Sequence, residues 1–213
     1  MTDAELSDVM ADCQVGRIGP GAVVLVVGPS GAGKDALIAG ARAALGGDDR
    51  YIFVERHVSR AAHAAEVHVS LSKAAFADAV AKREYALTWT AHGLNYGIPA
   101  TIDDHIRSGR TVVFNASRAI VAEARQRYAH PRVVLIDCPA EIRAQRVKLR
   151  GREPLQELRV RIARTVEGFD EALADVRVDN SCALHTGIER FITALRKTAA
   201  PGPQPSKGKR ATT

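Results

Sequence analysis

Six consecutive apolar residues, 22–27, run directly into Gly28-Pro29-Ser30-Gly31-Ala32-Gly33-Lys34. A short, Val-rich run with no polar alternation marks a strand buried on both faces, the kind found in parallel sheets. The loop fits G-x-x-x-x-G-K, and a helix is expected after it over 34–45, stopped by Gly46-Gly47-Asp48-Asp49. Glycines let backbone N–H groups turn inward around an anion, and the helix N-terminus adds partial positive charge. Lys34 reaches the outer phosphates of a nucleoside triphosphate. A bland reading, a glycine-rich turn with an exposed lysine, does not explain why strand, turn and helix occur in this order.

The position after Lys34 normally carries Ser or Thr, whose hydroxyl ligates magnesium. Here it is Asp35, and a carboxylate is a stronger ligand for a hard cation than a hydroxyl. The usual acidic partner stands at the end of a core strand. The comparable strand here, 111–115, ends in neutral Asn115. The expectation is that the anionic ligand for Mg2+ has moved from that strand to Asp35. The competing reading is a loop that has lost its chemistry.

Strand-like runs recur at 51–54, 85–90, 111–115, 132–137 and 176–178. Helical patterns lie between them at 72–82, 102–108, 118–128 and 140–149, with a long charged helix at 156–174 and a closing helix at 187–197. Alternation of strand and helix implies a central parallel sheet with right-handed crossovers, an α/β fold in three layers. Residues 1–20 form an N-terminal extension, 21–199 a single domain, and 200–213 a Pro-, Gly-, Ser- and Lys-rich tail expected to be disordered.

The net charge of +6 belongs to the C-terminal end and not to the domain. No Asp or Glu follows Glu189, whereas Arg190, Arg196, Lys197, Lys207, Lys209 and Arg210 do, and those six account for the whole excess. With only 5% aromatic residues, the chain offers little for stacking single-stranded bases, so no nucleic-acid partner is expected. Cys13, Cys138 and Cys182 are too few and too far apart for a metal or disulfide framework. No apolar stretch approaches the ~18 residues of a membrane span, and acidic residues precede any hydrophobic run at the N-terminus. A cytoplasmic setting is expected, and oligomeric state is left open.

Several segments together resemble the guanylate kinase-like P-loop kinases. Within that group the chain resembles the ribose 1,5-bisphosphate phosphokinases. The loop ending in Lys34-Asp35 is one; the others are Arg56-His-Val-Ser-Arg60 followed by Glu66-Val-His68, Trp89-Thr-Ala-His-Gly-Leu-Asn-Tyr-Gly97, Asn115-Ala-Ser-Arg118, Arg150-Gly-Arg-Glu153 and Asp179-Asn180. The resemblance spans about residues 22–195. It implies an ATP-dependent transfer to the 1-phosphate of ribose 1,5-bisphosphate, yielding 5-phospho-α-D-ribose 1-diphosphate in phosphonate breakdown. A guanylate kinase acting on GMP is the first alternative, and a binding module without catalysis the second.

On this reading Gly28, Pro29, Ser30, Gly31, Ala32, Gly33, Lys34 and Asp35 hold ATP and Mg2+. A bisphosphate acceptor calls for guanidinium forks. Arg56, Arg60 and Arg118 are the acceptor candidates, with hydroxyls from Ser59 and Ser117. Glu66, Tyr96 and Asn115 are assigned to sugar hydroxyls or to orienting the arginines. Arg143, Arg146 and Arg150 recur at helical spacing, and a lid is expected at about 148–162. Arg150, Arg152 and Arg161 are its catalytic candidates and Arg164 a further substrate contact, neutralising charge that spreads in the transition state. No strong general base is needed, because the acceptor oxygen is already anionic.

Overall fold

The computed structural model describes residues 16–60, 68–91, 93–149 and 171–199. Its centre is the apolar run of the sequence, in a longer strand, β1 (Ile18–Val27). Five parallel strands form the main sheet in the order β2 (Tyr51–Phe53), β7 (Thr111–Asn115), β1, β8 (Tyr128–Asp137), β9 (Val176–Asp179). β1 is therefore flanked on both edges and covered on both faces. Along it, Val23, Leu25 and Val27 enter one core while Val24 and Val26 enter the other. That division follows from the two-residue period of a strand.

The second of these cores packs against α1 (Lys34–Leu45) through Leu37, Ala41 and Leu45, and against the closing helix α6 (Leu184–Thr198) through Phe191, Ala194 and Leu195. The first core is covered by α3 (Ile102–Arg107), by α4 (Val121–Arg127) and by a second, smaller sheet. That sheet has the order β4 (Val69–Ser70), β3 (His57–Val58), β6 (Leu94–Pro99), β5 (Tyr85–Ala91), and β6 pairs antiparallel with both its neighbours. Helix α2 (Lys73–Ala81) precedes β5 and is capped by Ser72, whose Oγ accepts from the Ala75 amide at 3.1 Å. Helix α5 (Ala140–Leu149) follows β8.

Several elements differ from the sequence expectation. β1 begins at Ile18, four residues early, with a register irregularity against β8 between Ile18 and Ala22. β8 begins at Tyr128, so the helix expected to end there stops at Arg127, and its first turn, Arg118–Ile120, is a 3-10 turn. β6 is absent from the strands expected of the sequence. Asn95, Gly97 and Pro99 mask its alternation, and its pairing partners β3 and β5 supply what local preference does not. The expected long helix at 156–174 falls mostly outside the described residues, and Glu171–Leu173 is a 3-10 turn. No helix among the described residues is long and apolar enough to cross a membrane.

A polar knot joins the elements on the side of the first core. Tyr128 is fully buried, and its hydroxyl donates to Asp103 Oδ1 at 2.8 Å. Arg127 Nη2 donates to the other carboxylate oxygen, and its Nε donates to the Tyr128 hydroxyl at 3.2 Å. Burial, then the Asp103 carboxylate, push the Tyr128 phenol well above its ordinary range, so it stays a donor. Tyr128→Phe is expected to cost about 1.5–3 kcal/mol, the worth of a buried bond to a charged group. Urea unfolding measures this, and nucleotide affinity is expected to be unaffected.

Candidate active site

The β1–α1 loop is shaped by contacts that leave no room for side chains at its two ends. Gly28 has φ 146°, and a Cβ there would stand 2.4 Å from the Ile136 carbonyl oxygen on neighbouring β8. Gly33 caps α1 with φ 90°, and a Cβ there would stand 2.5 Å from Asn180 Nδ2. Both positions lie in backbone territory that favours glycine. Asn180 explains the second approach. Its Nδ2 donates to the Ala32 carbonyl at 2.7 Å, and its own amide donates to Asp137 O at 2.9 Å. The residue after β9 thus braces the loop from behind. Lys34 Nζ folds back onto the loop, donating to Gly28 O at 2.8 Å and Pro29 O at 3.0 Å. Arg143 and Arg146 of α5 bond around Cys138: Arg143 Nε donates to Cys138 O at 3.1 Å, and Arg146 Nη1 lies 3.5 Å from the buried Cys138 thiol.

In front of the loop, Asp35 and Asn115 meet. The β1–β7 register sets Val26 beside Asn115, which brings the end of β7 next to the strand that feeds the loop. Asn115 Nδ2 donates to Asp35 Oδ1 at 2.6 Å. The same carboxylate oxygen lies 3.9 Å from Arg56 Nη2. Asp35 is about two-fifths exposed, so this longer ion pair is weak and does not commit the guanidinium. Two buried polar atoms of the cluster, Arg56 Nε and Asn115 Oδ1, have no hydrogen-bond partner among the described residues. Buried polar atoms of this kind are costly unless a ligand or water satisfies them. A donor and an acceptor therefore stand open around one carboxylate at the mouth of the loop.

The remaining candidates are placed by the small sheet and the turn after β7. Tyr96 of β6 stacks on Trp89 of β5, and Arg56 stands over the Tyr96 ring. Arg60 Nε and Nη2 donate towards His68 Nε2 at 3.3 and 3.2 Å. Burial, with the Arg60 and Arg56 guanidiniums beside it, holds the His68 imidazole below the usual histidine range, in keeping with a neutral ring accepting from Arg60. Ser59 is buried, and its Oγ accepts the Asn95 amide at 2.8 Å, so the hydroxyl expected to face a substrate locks the end of β3 to β6. Ser117 Oγ accepts from the Ala119 amide at 3.3 Å, which opens the 3-10 turn carrying half-buried Arg118. Glu66, Arg150, Arg152, Arg161 and Arg164, and with them the expected lid from 150 onward, lie outside the described residues.

A five-stranded parallel sheet, a phosphate loop at the end of its central strand and a small sheet presenting arginines make this a P-loop kinase fold of the guanylate kinase type. Guanylate kinase from Anaplasma phagocytophilum superposes with a TM-score of 0.58 at 15% identity, covering 85% of this chain and 86% of that one, a likeness of fold. No family profile matches the sequence. Curated proteins match it well: the ribose 1,5-bisphosphate phosphokinase PhnN of Brucella melitensis is 44% identical over 181 residues, 84% of this chain and 94% of that protein. The PhnN protein of Bradyrhizobium diazoefficiens is 43% identical over 187 residues, 88% and 94% of the two chains. The chain belongs to the ribose 1,5-bisphosphate phosphokinase family. It is also 43% identical to the bifunctional ribose 1,5-bisphosphokinase-thymidine phosphorylase of Azorhizobium caulinodans, of whose length it spans 26%.

The brace behind the loop gives a direct expectation. Asn180→Ala removes one buried bond and leaves the Ala32 carbonyl unpaired, so ATP affinity is expected to fall about fivefold for ~1 kcal/mol lost. Nucleotide titration by calorimetry measures it, and the acceptor KM is expected to change little.

Proposed function

We propose that this chain transfers the γ-phosphoryl group of ATP to the 1-phosphate of ribose 1,5-bisphosphate, forming 5-phospho-α-D-ribose 1-diphosphate and ADP. The observation that carries the reading is 43–44% identity along 94% of the length of two proteins bearing that name. An oxygen of the acceptor phosphate forms the new bond to the γ-phosphorus, and the bond to the ADP oxygen breaks. The attacking oxygen is already anionic, so positioning and charge neutralisation carry the catalysis.

Each part of the site has a role in that reaction. Loop amides from Gly28 to Gly33 and the α1 N-terminus hold the nucleotide phosphates. Lys34 leaves its two carbonyl partners for the outer phosphates. Arg56 and Arg60 bind the acceptor phosphates, with Arg118 on the turn after β7, and Asn115 Oδ1 accepts from a substrate hydroxyl or a water. Arg150, Arg152, Arg161 and Arg164 close over the transferring group as a lid. A cytoplasmic setting and a place in phosphonate breakdown belong to the same proposal.

The residues present fit a magnesium ion. In kinases Mg2+ is held by one or two carboxylates plus phosphate oxygens and waters, and not by an all-protein cage. Asp35 offers one hard anionic donor, and Asn115 fixes that carboxylate through its amide N–H. The ion supplies neutralisation of the triphosphate charge. The swap of acid and amide leaves the pair with one negative charge, as an ordinary hydroxyl–carboxylate pair would have.

Purified protein incubated with magnesium-ATP and either ribose 1,5-bisphosphate or GMP tests the proposal. Turnover of the sugar bisphosphate is expected, and turnover of GMP alone would refute the reading, as would no turnover of either. Asp35→Ala is expected to raise the KM for magnesium-ATP at least tenfold, a loss on the order of 1.4 kcal/mol, and to shift the magnesium dependence to higher concentration. Calorimetric titration of nucleotide with and without Mg2+ separates this from a folding defect.

A further inference from the structure

β6 lies between β3 and β5 in the small sheet. Its Tyr96 is paired with Val58 on one side and with Trp89 on the other. Directly paired residues point to the same face, and so do residues two apart along an extended chain. Arg56 stands two before Val58, and its carbonyl accepts the Val69 amide at 3.1 Å, which extends the strand pairing back to it. Trp89, Tyr96 and Arg56 therefore form a row across three neighbouring segments on one face.

The contacts along the row are close. Trp89 and Tyr96 have ring centroids 5.2 Å apart and planes 6° from parallel. Arg56 Cζ lies 5.5 Å from the Tyr96 centroid. Because Trp89 comes from the β5 side and Arg56 from the β3 side, the tyrosine ring is held between them. Trp89 is 9% exposed and belongs to the core on the α3 side of the sheet, which fixes the far end of the row. At the near end Arg56 reaches to 3.9 Å from Asp35, with its Nε buried and unpartnered among the described residues. A guanidinium carries much rotamer freedom, and stacking on an aromatic face orients it without using its N–H donors. Those donors stay available for an anion.

We propose that Trp89 is a positioning residue for the acceptor phosphate, acting through the Tyr96 ring to hold the Arg56 guanidinium beside Asp35 at the mouth of the phosphate loop. This inference rests on the reading that Arg56 binds an acceptor phosphate.

Trp89 is the only tryptophan of the chain, so its emission reports the row without a label. Full-length protein titrated with ribose 1,5-bisphosphate is expected to show a saturating emission change with a midpoint near the acceptor KM. Magnesium-ATP alone is expected to cause a much smaller one. Trp89→Ala is expected to raise the acceptor KM about tenfold, with a smaller effect on kcat and on the KM for ATP. Trp89→Phe, which keeps a flat face, is expected to recover most of that loss. An acceptor titration without any emission change, or equal damage from the Phe and Ala variants, would overturn the proposal. Should Trp89→Ala fail to fold, Arg56→Lys keeps the charge without the planar stack; an unchanged acceptor KM and emission response in that variant would overturn it as well. If the wild-type enzyme turns over GMP and not the sugar bisphosphate, the substrate reading has failed, and the row is judged by the same KM split and emission titration with GMP.

Discussion

Burial of β1 on both faces and both edges is the constraint from which the site follows. A strand so enclosed leaves its polar backbone nothing to do but pair with β7 and β8. Side chains on its two faces are then committed to two separate cores. The chain can turn only at the end of the strand, in the crevice where α1 begins. There the amides of the turn have no strand partner and the helix lends its positive end. The same enclosure sets Ile136 and Asn180 hard against the loop, which is why Gly28 and Gly33 are structural necessities.

Asp35 and Asn115 hold a single negative charge between two scaffold elements. The helix carries the acid and the strand carries the amide, and a 2.6 Å bond ties them. An amide in this place does what a second carboxylate cannot. It donates to the acid, sparing it a like-charged neighbour, and keeps an acceptor atom for something else. Arg56, 3.9 Å from the carboxylate, completes a site in which opposite charges are close but not locked together. That looseness suits groups that must exchange partners when two anionic substrates arrive.

Much of this was legible in the residues alone, for identifiable reasons. The apolar run, the loop and the helix after it form a local unit, so spacing was enough to find them. The acidic residue at 35 and the neutral one at 115 were visible as departures from the usual phosphate-loop pattern, though their hydrogen bond across 80 positions was not. β6 is not legible locally, because its stability comes from partners on both sides and not from its own composition. Ser59 was expected to face a substrate, but its hydroxyl is turned onto β6 by a pairing that no local rule announces. The Trp89–Tyr96–Arg56 row is likewise a product of register, and register is a long-range property.

The bond from Asn180 to the Ala32 carbonyl spans 148 positions of chain. A polypeptide emerging from the ribosome has its glycine-rich turn early and the amide that steadies it only near the end. Early pairing of β1, β7 and β8 can shape the turn, but its last support waits for β9. Competence to grip nucleotide thus arrives late in synthesis, and a chain truncated before Asn180 would carry the whole signature loop yet lack the side chain that holds it in form.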